Sequence, residues 1–128
     1  MIEIVADPFP PDEAMQVLWR TAWNSQGPAS FQPILARSLA HAGAYDGETL
    51  VGFVNVAWDG GIHGFILDTC VDPAYQRQGI AVRLVQRAAE LAQAGGAEWL
   101  HVDFEPHLEA FYRKCGFGPT AAGLMRLG

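Results

Sequence analysis

One stretch, residues 65 to 93, constrains the fold of this 128-residue chain more than any other. An apolar run, Phe65–Val71, is typical of a buried strand; a turn and the loop Gln76–Ala81 follow, and then a long amphipathic pattern typical of a helix. The first N–H groups of a helix lack partners within it, and the helix dipole adds partial positive charge there. Because Gly79 has no Cβ and Ala81 only a methyl group, a ligand can approach this backbone closely. The stretch therefore predicts an anion site that suits a pyrophosphate.

The rest of the chain is predicted to supply further strands and helices around this unit. Period-2 and period-3.6 patterns, with Pro and Gly at the breaks, divide the chain into alternating elements. In chain order we expect a strand over 2–6, helices over 12–23 and 31–41, strands at 44–45, 50–58 and 63–71, a helix over 81–93, a strand over 99–104, a helix over 106–115 and a last strand within 119–127. Asp-Gly and Gly-Gly pairs between the middle strands indicate tight hairpin turns.

The composition favours one domain, residues 1–128, because half of the residues are hydrophobic and can form one sizeable core. The formal net charge of −6 argues against a nucleic-acid binder, which needs a basic face for phosphates. No apolar run reaches the roughly 18 to 20 residues of a membrane span, and no basic, apolar leader pattern is present. We therefore expect a cytoplasmic protein with no membrane contact and with reduced thiols at Cys70 and Cys115. No Cys/His spacing indicates a metal site.

Two short motifs resemble the GNAT superfamily of N-acetyltransferases. The loop Gln76-x-x-Gly79-x-Ala81 is similar to motif A of that family, and Tyr112 followed by Gly116-Phe117 is similar to its motif B. The resemblance implies the α/β (α+β) GNAT fold, in which about four helices flank a mixed, mostly antiparallel sheet. It also implies a V-shaped splay between the strand before motif A and the strand after its helix.

The resemblance further implies acetyl-CoA as cosubstrate, with the loop amides on its pyrophosphate. The implied contacts are Thr69, Cys70 and Val71 on the strand and Gln76, Arg77, Gln78, Gly79, Ile80, Ala81 and Val82 in the loop and first helical turn. The strand would bind the pantetheine amides as an added strand does. A backbone N–H of Cys70 or Val71 would stabilise the oxyanion of a tetrahedral intermediate. Arg77 and Arg83 either meet coenzyme phosphates or are solvated surface residues.

The implied chemistry needs an acid for the leaving thiolate and a base for the attacking amine. Motif B gives the acid role to Tyr112, although an aromatic side chain here also suits the core. Asp68, in an otherwise apolar strand, is a candidate base, because burial raises the pKa of a carboxyl group; a hydrogen-bonded structural role is its alternative. Glu105 stands where many family members have asparagine, and it is a candidate base or substrate contact.

Other ionisable residues remain open as the base. They are His63, His101 and Asp103, with His101 and Asp103 on one face of their expected strand. That pair is either a linked catalytic pair or a structural hydrogen bond. His107 is expected in the first turn of a helix, where simple exposure is its alternative. A water chain without a dedicated base is also known in the family.

The leading functional prediction is an N-acetyltransferase that moves an acetyl group to a primary amine of a small molecule or peptide by direct attack. The alternative is a non-catalytic protein of the same fold that binds or senses acyl-CoA. A nucleotide binder is disfavoured, because neither G-x-x-x-x-G-K-[ST] nor G-x-G-x-x-G is present. The acceptor-side residues implied by the family are Trp19, Trp23, Phe31 and Trp58, each of which also suits a core. The family also allows a homodimer.

Overall fold

The computed structural model describes residues 1–128 as five strands and four helices. They are β1 Ile2–Ala6, α1 Asp12–Trp23, α2 Gln32–Arg37, β2 Ala40–Asp46, β3 Thr49–Trp58, β4 His63–Val71, α3 Ile80–Ala94, β5 Trp99–His101 and α4 Glu109–Lys114, with 3₁₀ turns at Pro73–Tyr75 and Pro106–Leu108. The strands form one sheet in the order β1-β2-β3-β4-β5. The first three pairings are antiparallel and the last, β4 with β5, is parallel. The expected mixed, mostly antiparallel sheet with four helices is therefore confirmed.

The two faces of the sheet are covered by different helices. On one face, α3 packs its apolar stripe, including Leu84 and Ala88, against small and branched side chains of β2 and β3. On the other face, α1 and α2 pack around Met15, Leu35 and Phe53. The helices α1 and α2 cover the β3 side of that face, and they leave much of β4 and β5 open. None of the four helices is both long and apolar enough to cross a bilayer.

The strands β4 and β5 pair over only three residues and then separate. His63, Gly64 and Phe65 pair with Trp99, Leu100 and His101 in that order. Beyond Phe65, the edge of β4 that faces β5 has no strand partner, so the expected V-shaped splay is confirmed. Its backbone is free to pair with an extended ligand, as an added strand does.

A bulge in β4 lies inside this splay. The pairing shifts between Phe53 and Asn55, so that two residues of β4, Asp68 and Thr69, lie opposite the single residue Val54. Asp68 adopts a left-handed backbone conformation with φ of +59°. Bulges re-aim side chains and frequently lie next to active sites, and strained non-glycine residues also concentrate there. The bulge and the left-handed conformation of Asp68 therefore make this part of β4 a candidate functional segment.

The predicted helix over 31–41 is wrong in its second half. The helix α2 ends at Arg37, and Ala40–Asp46 forms the strand β2 between β1 and β3. Ala40, Ala42 and Ala44 alternate along β2 and are almost wholly buried. Both faces of β2 are buried from Ala40 to Ala44, so the sequence shows no clear alternation there, and the apolar residues at 34, 35, 39 and 40 fit a helical spacing.

Two other boundaries differ from the sequence prediction near the C-terminal end. The strand β5 ends at His101 rather than at residue 104, because β4 and β5 separate there. The predicted last strand within 119–127 is absent, and residues 118–128 are all exposed. Pro119 and the glycines of this tail do not favour a strand, and its apolar side chains, such as Leu124 and Leu127, pack against nothing.

The buried His41 of β2 gives the fold a pH-dependent stability. Its Nε2 accepts a hydrogen bond of 2.9 Å from the backbone N–H of Phe9, and its side chain is 1% exposed. Burial lowers the pKa of His41, and the nearby Asp7 opposes this only in part. The folded protein thus favours the neutral ring, whereas the unfolded chain takes up a proton below the usual histidine pKa of about 6.5.

We therefore expect the free energy of unfolding to fall as pH drops below about 6.5. His41→Gln should flatten this pH dependence and, because it disturbs a buried hydrogen bond, cost about 1–3 kcal/mol at neutral pH. Urea unfolding of both proteins between pH 5 and 8 measures the effect. The control is His107→Gln, since His107 is exposed, and it should keep the wild-type pH dependence. An unchanged slope in His41→Gln would contradict this assignment.

Candidate active site

A cavity of about 410 Å³ lies where β4 ends and α3 begins. Its walls also include the end of α1 and one side of α4. Nine of the ten expected coenzyme contacts line it: Thr69, Cys70, Val71, Gln76, Arg77, Gly79, Ile80, Ala81 and Val82, with Gln78 the exception. Residues from two separate sequence positions, the end of β4 and the start of α3, thus meet at one cavity.

The N-terminus of α3 is open toward this cavity. Gly79 is its N-cap with φ of +76°, and no side chain caps the first helical N–H groups. A Cβ added at Gly79 would meet no atom within 4 Å. The loop therefore offers uncapped amides, the positive end of a helix dipole and free space together, which fits a phosphate-bearing ligand.

The two arginines of this region differ in their surroundings. Arg77 lines the cavity and is held in a left-handed conformation with φ of +64°. Arg83 is turned away, because its Nη2 donates a hydrogen bond of 3.0 Å to the carbonyl oxygen of Ile2. Arg77 is thus the arginine of the pair that borders the cavity.

The turn between β4 and the loop is fixed by its own hydrogen bonds. The hydroxyl of Tyr75 donates to Oδ2 of Asp46 at 2.6 Å, and Asp72 accepts from the N–H of Ala74 at 2.9 Å. Tyr75 also lines the cavity, as do Leu108 and Phe111 of the opposite wall. The sequence analysis missed these three as lining residues. For Tyr75, the available signal in the sequence was its position two residues after Pro73, in the turn that leads into the loop.

Tyr112 of α4 lines the cavity from the side opposite α3. Its side chain is 7% exposed and stacks on Phe104 at 4.8 Å between ring centroids. Burial raises the pKa of Tyr112, and the nearby hydroxyl of Thr69 opposes this in part. Thr69 Oγ1 is itself buried without a hydrogen-bond partner. A protonated phenol and an unused polar atom thus share this part of the cavity.

Neither cysteine is suited to carry an acyl group. Both thiols are free, and burial raises the pKa of Cys70 to about 12, with the nearby Asp68 adding to the shift. Burial also raises the pKa of Cys115. Because the thiolate is the nucleophile, both side chains are poorly activated at neutral pH.

A second cavity, of about 210 Å³, lies where β4 and β5 separate. Phe65, Leu67, His101 and Asp103 line it, and the ring of His101 stacks on Phe65 at 4.7 Å between centroids. Nδ1 of His63 and Nε2 of His101 are joined by a hydrogen bond of 2.8 Å. His101 is thus paired with His63, and not with Asp103 as the expected strand had suggested.

The other predicted site residues fall in different surroundings. Asp68 lies at the bulge, half-buried and without a hydrogen-bond partner, and burial raises the pKa of its carboxyl group. Glu105 lies outside both cavities; its side chain is 80% exposed and 3.6 Å from the ring of His107. Trp19 and Phe31 belong to the core, whereas Trp23 borders the first cavity. Trp58 is 40% exposed and lines neither cavity.

Comparison with known proteins finds a family whose model matches this chain. The model of the acetyltransferase (GNAT) family matches residues 1–117 of the chain. The match includes every strand and helix from β1 to α4 and the lining of both cavities.

Individual relatives show the same likeness. The N-alpha-acetyltransferase RimI of Mycobacterium tuberculosis is 38% identical over 96 residues, which are 70% of this chain and 60% of that protein. The chain spans between 33% and 60% of the length of the curated relatives it matches. Among solved structures, a GNAT-family acetyltransferase of Streptococcus pneumoniae has a TM-score of 0.81 at 26% identity, over 100% of this chain and 98% of that one. The aminoglycoside N-acetyltransferase AAC(6′)-Iy, in complex with CoA, shares the fold with a TM-score of 0.77 at 16% identity, over 100% and 95% of the two chains.

Proposed function

The chain belongs to the GNAT family of acetyltransferases, and we propose that it transfers an acetyl group from acetyl-CoA to a primary amine of a small molecule or peptide. One observation carries the proposal: a single cavity combines the uncapped N-terminus of α3, the unpaired edge of β4 and the hydroxyl-bearing ring of Tyr112. Each of these features suits a different part of acetyl-CoA.

The phosphate end of acetyl-CoA is assigned to the loop before α3. The amides that follow Gly79 donate to the pyrophosphate, and the absence of a Cβ at Gly79 leaves room for it. Arg77 at the cavity wall supplies positive charge in a chain with a net charge of −6. The CoA bound to the structural neighbour AAC(6′)-Iy agrees with this choice of ligand.

The pantetheine arm is assigned to the unpaired edge of β4. Thr69, Cys70 and Val71 line the cavity beyond the point where β5 departs. Their backbone groups bind the pantetheine amides as a neighbouring strand would. A backbone N–H of Cys70 or Val71 then stabilises negative charge on the thioester oxygen during attack, an effect typically worth about 3 kcal/mol.

The acid of the reaction is assigned to Tyr112. Because burial raises its pKa, the phenol stays protonated at neutral pH and can give a proton to the departing sulfur. Glu105 is left out of the machinery, because its exposed side chain lines neither cavity. Asp68 lies on β4 between the segments that line the two cavities, His101 lines the second cavity, and both are candidates to accept the proton of the amine.

Titration calorimetry with acetyl-CoA and with desulfo-CoA tests the ligand. We expect both to bind with dissociation constants in the micromolar range, about −8 kcal/mol. Thiol release is then followed with spermidine, glucosamine 6-phosphate, neamine and a hexapeptide with a free α-amino group. Binding of acetyl-CoA together with thiol release that one of these amines stimulates supports an N-acetyltransferase. Binding without release by any amine supports a sensor of acyl-CoA, and absence of binding refutes both.

A further inference from the structure

We propose that His101 is the base that takes the proton from the acceptor amine, and that His63 holds it in the required tautomer. This rests on the proposed function, which leaves the base unassigned. The observation behind it is the 2.8 Å hydrogen bond between Nδ1 of His63 and Nε2 of His101 at the point where β4 and β5 separate.

The position of the pair places it on the acceptor side of the splay. The second cavity, which His101 lines, is bounded on β4 by Phe65–Leu67, and the first cavity is bounded on β4 by Thr69–Val71. Only Asp68 separates these two segments. In the proposed reaction, the acceptor amine approaches a thioester beside Thr69–Val71 along β4 from the second cavity. His101 is the last residue of β5 that still pairs with β4, at the start of this approach.

The hydrogen bond of the pair engages Nε2 of His101, so Nδ1 is the ring nitrogen that does not face His63. With the N–H on Nε2 of His101, this atom donates to Nδ1 of His63, and Nδ1 of His101 retains a lone pair. Stacking on Phe65 at 24° between ring planes holds the ring in place. When Nδ1 accepts a proton, the bond to His63 becomes charge-assisted and the cation lies against an aromatic face, and both effects stabilise it. In this arrangement His101 is a base whose ring is oriented by another group, His63.

The acceptor loses one proton to solvent and becomes a neutral primary amine. Its nitrogen bonds to the thioester carbonyl carbon, and one of its two protons passes through intervening water to Nδ1 of His101. The carbon–sulfur bond breaks with its electron pair on sulfur, which takes the proton of the Tyr112 hydroxyl. Solvent then removes the proton from His101 and restores the one on Tyr112.

Asp68 is the other candidate for the base. The charged groups around His63 and His101 help to decide between Asp68 and His101. Asp59, in the turn before β4, interacts with His63, and Asp103 shares the second cavity with His101. Asp68 has no group that orients it, and imidazole is the side chain best matched to proton transfer near neutral pH. We therefore give Asp68 the role of attracting the ammonium ion of the acceptor.

Four variants test the pair against the amine that best stimulates thiol release by the wild type in the panel above. His101→Gln cannot accept a proton and should lower kcat about a hundredfold, and the acidic limb of its log kcat/KM pH profile should have a slope of about one, from the amine alone, in place of a wild-type slope of about two. His63→Leu removes the orienting acceptor and should lower kcat about tenfold. His63→Asn keeps an acceptor close to the position of Nδ1 and should recover most of that loss. His107→Gln, outside both cavities, is the matched control.

Each outcome decides one part of the proposal. Desulfo-CoA affinity should stay within about threefold of wild type in all four variants, which separates the base from the coenzyme site. A wild-type kcat and pH profile in His101→Gln would overturn the assignment of His101 as the base. So would a fifth variant, Asp68→Asn, if it alone reduced the slope of the acidic limb to about one. An equal loss in His63→Leu and His63→Asn would overturn the orienting role. Binding of acetyl-CoA without release by any amine would instead overturn the proposed function.

Discussion

Gly79→Asp is expected to weaken the binding of desulfo-CoA about a hundredfold. The new carboxylate would occupy the space that is open above Gly79, where the pyrophosphate is assigned. Two unit charges 4 Å apart repel by about 1 kcal/mol in water and about 4 kcal/mol near a protein surface. An intermediate cost of about 3 kcal/mol corresponds to roughly a hundredfold in the dissociation constant. Titration calorimetry on the purified variant measures it.

Two matched variants separate this charge effect from backbone strain. Gly79 has φ of +76°, a conformation that costs other residues about 1–2 kcal/mol but that Asn and Asp tolerate best. Gly79→Asn has the size of aspartate without its charge, so it should bind at least tenfold more tightly than Gly79→Asp. Gly96→Asp places the same residue at another open, positive-φ glycine, after α3, and should leave affinity unchanged. Wild-type affinity in a folded Gly79→Asp protein would refute the assignment of the loop.

The fold was predictable where local signals agreed with each other. The segment from β4 to α3 combines an apolar run, a turn with proline, a positive-φ glycine and an amphipathic helix, and all of these point to one structure. The error at residues 38–43 arose where the patterns conflicted. Alanine fits both a helix and a buried strand, and only pairing with β1 and β3 decides for β2. The last strand expected within 119–127 does not form, because no strand of the sheet lies beside the tail to pair with it.

The candidate site was predictable only in part, for a similar reason. The loop around Gly79 is continuous in sequence, and a motif therefore describes it. The pair of His63 and His101 joins residues 38 apart, and their contact depends on the parallel register of β4 and β5. Local sequence carries no information on that register. The sequence analysis named both histidines, but it expected Asp103 to be the partner of His101.

Tyr112→Phe is expected to lower kcat about a hundredfold while desulfo-CoA affinity stays within about threefold of wild type. The change removes only a hydroxyl group from a ring that is packed against Phe104 and 7% exposed, so the shape of the cavity is retained. General acid catalysis typically contributes a factor of about 10²–10⁴. Without the phenol, sulfur must leave as a thiolate or take a proton from water. Steady-state thiol release with a saturating amine, together with calorimetry, gives both quantities.

The deficit of Tyr112→Phe has to be separated from a loss of stability. Thermal unfolding should show a similar midpoint for the variant and the wild type, because phenylalanine keeps the ring that packs against Phe104. Tyr45→Phe removes a hydroxyl from another partly buried tyrosine that borders neither cavity, and it should keep wild-type kcat. Because burial raises the pKa of Tyr112, its proton is retained well into alkaline pH, so the hundredfold deficit should be constant between pH 7 and 9. A deficit that vanished as pH rose over this range, or an unchanged kcat, would remove Tyr112 from the role of acid.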